Sequence, residues 1–253
     1  MKKIILLLSA TVFLISCSKT KYTISGTATG IENGKTIILE VQDAVGGLIP
    51  IDTVKVENGK FEITGKATEP AFHLLQVEGV QGKFPFILEN GDITIVINKD
   101  SINKSKVSGT YNNDEFVKFN EELIAVQKGV MDFQKKNTPI MTQAQQTNDT
   151  ATINKLMKEY STLQEGVNTE SKKKYNDYAE THSKSFISVL ILQGMSNDPT
   201  IDVKKVEKIY SSLDESLKTS KPGKAIELKI KEAKSPSVGA SATPAAQAPA
   251  NSK

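Results

Sequence analysis

From Tyr22 to about Ser108 apolar and polar residues alternate in short runs, the period of a half-buried strand. Tyr22-Thr23-Ile24-Ser25-Gly26 alternates, and Thr36 to Val41 follows a turn at Glu32-Asn33-Gly34-Lys35. Ile49 to Val56 is rich in β-branched residues, which suit a pleated, half-buried surface. Asn58-Gly59 then separates Thr53–Val56 from Phe61–Thr64, and both central residues of such a pair accept positive φ, so it predicts a hairpin. Further runs cover Phe72–Val77, Phe84–Leu88 and Ile93–Ile97, the last two flanking a second turn at Glu89-Asn90-Gly91-Asp92. Short strands punctuated by glycine turns predict an antiparallel β-sandwich or small barrel over residues 22–109.

After Tyr111 the period lengthens to three and four. Asn112-Asn113-Asp114 offers N-caps, and Asp114 and Glu115 suit a first turn. Phe116, Phe119, Leu123, Val126, Val130 and Phe133 form an apolar seam of the a/d kind. Asn137 to Thr150 is polar, holds Pro139 and reads as a connection. The seam returns at Ile153, Leu156, Tyr160, Leu163 and Val167, and more weakly through Tyr175, Tyr178 and His182, which predicts an antiparallel helical hairpin. Further helices are predicted over about Ser185–Met195 and Val203–Leu217, with a last turn or two over Ala225–Ala233. The fold class is α+β: an N-terminal antiparallel β-sandwich or small barrel, then a helical region over 112–233 with a long hairpin. Residues 234–253, rich in Ser, Ala and Pro, have no apolar period and are expected to be disordered.

The N-terminus reads Met1-Lys2-Lys3, then an apolar run from Ile4 to Ile15, then Leu14-Ile15-Ser16-Cys17. The run is roughly a dozen residues, short of the ~20 that span a bilayer, and a small residue before the cut completes a secretory signal. Cys17, the single cysteine of the chain, follows a Leu-x-small triplet and so resembles a bacterial lipobox. That resemblance implies a signal peptide over 1–16 and a lipidated tether over 17–21, with the Cys17 thiol diacylated. A thioether leaves no thiol for a disulfide, a thiolate nucleophile or a Cys-x-x-Cys pair. Ser18-Lys19-Thr20 is not acidic, which by analogy with sorting rules implies the periplasmic face of the outer membrane. Several acyl chains anchor stably where one would not.

Tyr22-Thr23-Ile24-Ser25-Gly26, Asp52-Thr53-Val54, Gly59-Lys60-Phe61 and Asn90-Gly91-Asp92 occur in that order after the cysteine. His182-Ser183-Lys184-Ser185, Tyr210 to Asp214 and Ser220-Lys221-Pro222-Gly223 follow in the helical region. This arrangement resembles the N-terminal domain of unknown function of Bacteroidetes-type thiol–disulfide interchange lipoproteins, over about residues 1–238. His182-Ser183-Lys184-Ser185 is a degenerate form of the family's His-Pro-x-Ser. In that family a Gly-x-x-Ala-Pro segment opens a thioredoxin-like domain with a Cys-x-x-Cys site. Here Val238-Gly239-Ala240-Ser241-Ala242-Thr243-Pro244 runs into an Ala-Pro-rich stretch, so the redox activity does not carry over and only the accessory part is expected.

Among the 253 residues, 32 Lys and Arg face 29 Asp and Glu; without Lys2 and Lys3 the balance is 30 to 29. No basic patch with interleaved aromatics appears, so no nucleic-acid partner is expected. His73 sits in an apolar strand, His182 in the helical region, and neither shows metal-ligand spacing with other residues. No Gly-x-Ser-x-Gly elbow exists, and the glycines punctuate strands rather than build a phosphate loop. Glu89 and Asp92 flank a turn, where Asp commonly bonds its own backbone. Lys172-Lys173-Lys174 reads as a solvated helix face. Gly82 to Leu88 carries Phe84 and Phe86 around Pro85; these two rings are the candidate partner surface on an exposed edge, with core packing the favoured alternative. Asp52-Thr53-Val54, Asp100-Ser101-Ile102 and Asp149-Thr150-Ala151 resemble O-glycosylation acceptors of Bacteroidetes, with Thr150 better placed than Ser101 or Thr53.

These features describe a non-catalytic envelope lipoprotein, membrane-attached through its lipid, that acts as a binding or scaffold module with an unidentified envelope partner. No catalytic residue, cofactor or metal is assigned. The alternatives are a structural spacer lipoprotein and a cryptic hydrolase.

Overall fold

The computed structural model describes residues 20–42, 46–198 and 202–235. The signal segment, Cys17 and most of the tail lie outside the described residues. By contacts the chain forms two compact units, Met1–Lys174 and Tyr175–Lys253.

The first unit opens with eight strands in two four-stranded sheets. One sheet has the order β4-β1-β7-β8, from Lys60–Gly65, Tyr22–Thr27, Gly91–Val96 and Lys106–Ser108. The other has the order β3-β2-β5-β6, from Leu48–Lys55, Thr36–Gln42, Ala71–Val77 and Lys83–Leu88. Alternate residues of both sheets enter one core, among them Ile24, Ile63 and Ile95 from the first and Leu39, Leu75 and Phe86 from the second. The expected sandwich is therefore present. One pair departs from the expected antiparallel pattern: β1 and β7 run parallel. Parallel neighbours need a long crossover, here the whole second sheet together with β4, and no local signal announces it.

Two glycines fit aromatic rings into the first sheet. Gly26 lies opposite Phe61, and a Cβ on it would meet the ring at 2.0 Å. Gly65 lies opposite Tyr22, and a Cβ there would meet the phenol oxygen at 2.4 Å. The Tyr22-to-Gly26 and Gly59-to-Phe61 motifs are thus two sides of one contact.

Asn58 (φ 52) and Gly59 (φ 69) form the expected turn, but β3 and β4 belong to different sheets. The turn at Asn90-Gly91 likewise carries the chain from β6 in one sheet to β7 in the other. Asn90 steadies it by pairing its side-chain amide with the Ala67 main chain, at 2.9 and 2.8 Å. Beyond β5, Glu78 accepts from the Thr36 N–H at 2.9 Å and from Lys35 at 3.3 Å. These bonds hold its carboxyl down at about 2, against 4.5 for an unperturbed group, the Thr36 hydrogen bonding contributing most.

Helix α1 (Tyr111–Gln146) starts with Thr110 at its N-cap, so Asn112 and Asn113 are not caps but lie buried in the first turn. Asn113 is fully buried, accepts from the Ile87 N–H at 2.9 Å and donates to the Ile87 carbonyl at 2.8 Å. Since β6 is an edge strand, the amide takes the place of a neighbouring strand's peptide group. Asn112 offers its backbone and side-chain N–H groups to the Glu89 carboxylate, at 3.0 and 2.6 Å. A carboxylate at a helix N-terminus also meets the positive end of the helix dipole.

The expected connection at Asn137–Thr150 is a correction. The helix runs through Pro139 to Gln146, and Thr147-Asn148-Asp149 alone turns into α2 (Thr150–Thr181). Around the proline the Phe133, Gln134 and Thr138 carbonyls accept from Asn137, Thr138 and Thr142, at 2.9, 2.7 and 3.0 Å. The hydrogen bond that the proline itself removes is the one to the Lys135 carbonyl, four residues earlier. Asn148 takes the left-handed turn conformation (φ 52), and Asp149 caps α2 by accepting from the Thr152 N–H at 3.1 Å. The two helices run antiparallel, joined by the pairs Glu122–Lys174 (2.8 Å) and Gln134–Tyr160 (3.3 Å).

In the second unit the final turns of α2 lead to α3 (Phe186–Ser196), whose Phe186, Val189 and Leu192 are buried. It packs with α4 (Val203–Ser212) and α6 (Lys221–Lys234). The helix expected over Val203–Leu217 breaks at buried Leu213, where Asp214 caps a short α5 (Glu215–Lys218). The last helix is 14 residues, longer than expected, because Ser220 caps it and Pro222 sits in its first turn. Gly223 passes so close to α5 that a Cβ would lie 2.1 Å from the Leu217 carbonyl oxygen.

Replacing Asn113 by Ala strands a buried N–H and C=O of Ile87 together, and the expected loss is about 2–4 kcal/mol in urea unfolding. Glu78 sets a pH test. Its folded-state pKa is depressed, so its stabilisation is present above about 4.5 and is lost as pH falls through about 2. Glu78→Gln should flatten the unfolding curve between those pH values, and added salt should shrink the difference because the Lys35 pair is solvent-accessible.

Candidate functional site

The candidate chemistry disperses in the fold. Cys17 lies outside the described residues. His73, on β5, is buried, with Nδ1 3.0 Å from the Ala71 carbonyl and its ring tilted against Phe86 at 6.3 Å. Burial pushes its imidazole below the ordinary 6.5, with the Ala71 carbonyl working the other way. His182 stacks on Tyr178 at 4.0 Å, and its Nδ1 lies 2.8 Å from the Thr181 hydroxyl. Tyr178 in turn donates to Ser185, which caps α3, so the His182-to-Ser185 motif shapes the entry to that helix. Glu89 serves the start of α1. Lys174 pairs with Glu122 and so fastens the hairpin, which draws its pKa upward. Among the described residues no three His, Cys, Asp or Glu converge as a metal set.

Phe84 and Phe86 do not form the surface considered for them: both are buried in the sandwich core. Strand alternation turns both rings inward and leaves Lys83 and Pro85 on the outer face. Of the three hydroxyls considered for glycosylation, Thr53 is exposed on β3 and Thr150 is exposed as the first residue of α2. Ser101 is half-buried before a 3-10 turn, its N–H held by Asn98 at 3.0 Å.

Two other surfaces emerge. On β3, an edge strand, Leu48, Ile49, Pro50 and Ile51 are all exposed. The register shifts between Leu39 and Glu40, so Ile51 faces no residue of β2. Proline offers no N–H, and a bulge bends the strand, so this edge resists addition of another strand and presents side chains instead. The signal for it was present as four consecutive apolar residues where a half-buried strand alternates.

The second surface is a groove of about 340 Å³ between α1 and α2. Phe133, Met141, Leu156 and Met157 give it an apolar lining, and Gln134 and Thr142 add neutral polar groups. Tyr160 bridges the helices beside it, its ring 6.2 Å from Phe133. Reading 137–150 as a connection hid this groove, because half of its lining comes from that stretch.

No curated protein and no solved structure matches the chain. Residues 22–116, the whole sandwich with the first turns of α1, match the family model described as Domain of unknown function (DUF4369).

Proposed function

We propose that the protein is a non-catalytic envelope lipoprotein, anchored through Cys17 at the periplasmic face of the outer membrane, whose sandwich serves as a binding or scaffold module. The observation that supports it best is the exposed apolar run Leu48–Ile51 on an open sheet edge. Clustered apolar side chains on a surface mark contact sites, whereas single ones are ordinary. Among the described residues no helix is long and apolar enough to cross a membrane; in this reading the attachment is the lipid on Cys17. The order of motifs supports kinship with the accessory region of thiol–disulfide interchange lipoproteins, and the unknown-function domain at 22–116 is compatible with it. A partner in envelope redox or folding chemistry follows from that kinship. The groove lends no support to a hydrolase, since its lining holds neither histidine nor carboxylate.

Protein isolated from its native envelope should begin at Cys17 with a diacylated thiol, and Cys17→Ser should appear in the soluble fraction; an unmodified thiol overturns the anchor. Crosslinking in intact envelopes should recover a discrete partner. Its yield should fall about fivefold or more with Ile49→Lys and Ile51→Lys, as expected when more than ~1 kcal/mol is lost at an interface centre. Both side chains are exposed, so unfolding midpoints should hold; a partner retained by the folded variant removes β3 from the reading.

A further inference from the structure

The end of the sandwich that receives the N-terminal segment is also the end where most of its exposed apolar side chains stand. Tyr22 opens β1 opposite Gly65, the last residue of β4, and beside Gly91, the first of β7. The turn at Asn90 ties this end to the second sheet, through Leu88 at the close of β6 and Ala71 at the start of β5. Val41 pairs with His73 near that start and with Ile49, so the apolar run Leu48–Ile51 is the half of β3 on the same end. The other half, Asp52 to Lys55, runs to the far end, where the turns carry Glu32, Lys35, Glu57, Lys60 and Glu78. Among the described residues of the strands, the large apolar side chains left exposed are Leu48, Ile49, Ile51 and Phe72 in the near half and Val96 in the far half.

Covalent length limits how far this end can stand from the anchor. Cys17 precedes Tyr22 by five residues, which reach at most about 18 Å when fully extended. β3 lies in the facing sheet, about 10 Å from the one that holds β1. Acyl chains on Cys17 therefore hold the Leu48–Ile51 run close to the lipid surface. The run is purely aliphatic: it has no charge and none of the Trp, Tyr or Arg on which protein interfaces rely. Pro50 has no N–H to leave unpaired, and the register shift leaves Ile51 without a partner on β2. The other open peptide groups of this edge strand cannot enter hydrocarbon unpaired, so the contact they allow is shallow, at the level of the headgroups.

We infer that the Leu48–Ile51 run seats in the lipid leaflet that holds the Cys17 anchor, so that the near end of the sandwich lies on the membrane surface. The inference deepens the proposed reading and rests on its anchor: the occupant of the run is lipid, and a protein partner meets the sandwich where it lies on the leaflet. The tether keeps the run at a high effective concentration beside the surface, so a patch too small to bind alone suffices. Two attachments also fix the orientation of the sandwich, which a tether by itself leaves free.

The test uses the full-length lipidated chain in vesicles of phosphatidylcholine and phosphatidylethanolamine, with no other protein present. A thioether at Cys17 leaves no thiol, so Ile49→Cys introduces the only one, and Lys60→Cys does the same at the far end. Each is labelled with a polarity-sensitive fluorophore. Nitroxide lipids should quench the label at Ile49→Cys about threefold or more strongly than at Lys60→Cys, with a blue shift, as for side chains at the boundary of headgroups and acyl chains. Ile51→Asp in the Ile49→Cys chain should lower the quenching to the Lys60→Cys level, because a carboxylate resists leaving water. Circular dichroism verifies that each variant folds, and mass spectrometry of the same samples reads the acyl state. Equal quenching at the two positions of diacylated protein overturns the inference and leaves the anchor standing; an unmodified Cys17 thiol overturns both. A blue shift at Ile49→Cys that nitroxide lipids do not quench means cover by a second copy, and overturns the inference as well.

Discussion

One buried amide holds the sandwich to the helical hairpin. Asn113 pairs with both main-chain groups of Ile87 and so completes the free edge of β6 with a side chain where a strand would otherwise be needed. In a dry site such a pair matters less for the energy of its own bonds than for the cost of leaving the peptide group unmatched. Other contacts follow from it. Asn112 reaches Glu89, and Phe116 meets Phe72 edge-on at 6.0 Å. The matched residues run to Phe116 and so span Asn112 and Asn113 as well as the strands.

The two edges of that sheet are managed by opposite means. β6 is closed by the Asn113 amide, whereas β3 stays open but carries Pro50 and a register shift that discourage another strand. What β3 still offers is its side chains. The hairpin offers a groove whose lining is apolar and neutral polar. Both surfaces are compatible with a protein that works by contact, and neither requires a catalytic group.

Much of the local structure was legible. Alternation located the strands, the three-and-four period located the helices, and Asn58-Gly59 marked a turn that does take positive φ at both residues. Where each turn led was not legible, because φ and ψ at two residues say nothing of which sheet receives the next strand. Asn112 and Asn113 read as caps, since a short amide beside a helix start is locally a capping signal. Their actual partners, Glu89 and Ile87, lie more than twenty residues earlier. Pro139 misled for a similar reason: its helix-breaking tendency is local, and the packed hairpin overrode it. The candidate surfaces were the least legible part, because exposure of Leu48–Ile51 and burial of Phe84 and Phe86 depend on which face the neighbouring strands leave uncovered.

By itself the sequence determined the succession of strands and helices, most of the places where the chain turns, and the apolar seams along the two long helices. Those features depend on backbone preference and side-chain period, which act over a few residues. The tertiary structure alone decided the parallel pairing of β1 with β7, the inward turn of Phe84 and Phe86, and the amide that closes β6. Each of these depends on groups far apart in the chain that desolvate one another only when the whole sandwich has closed.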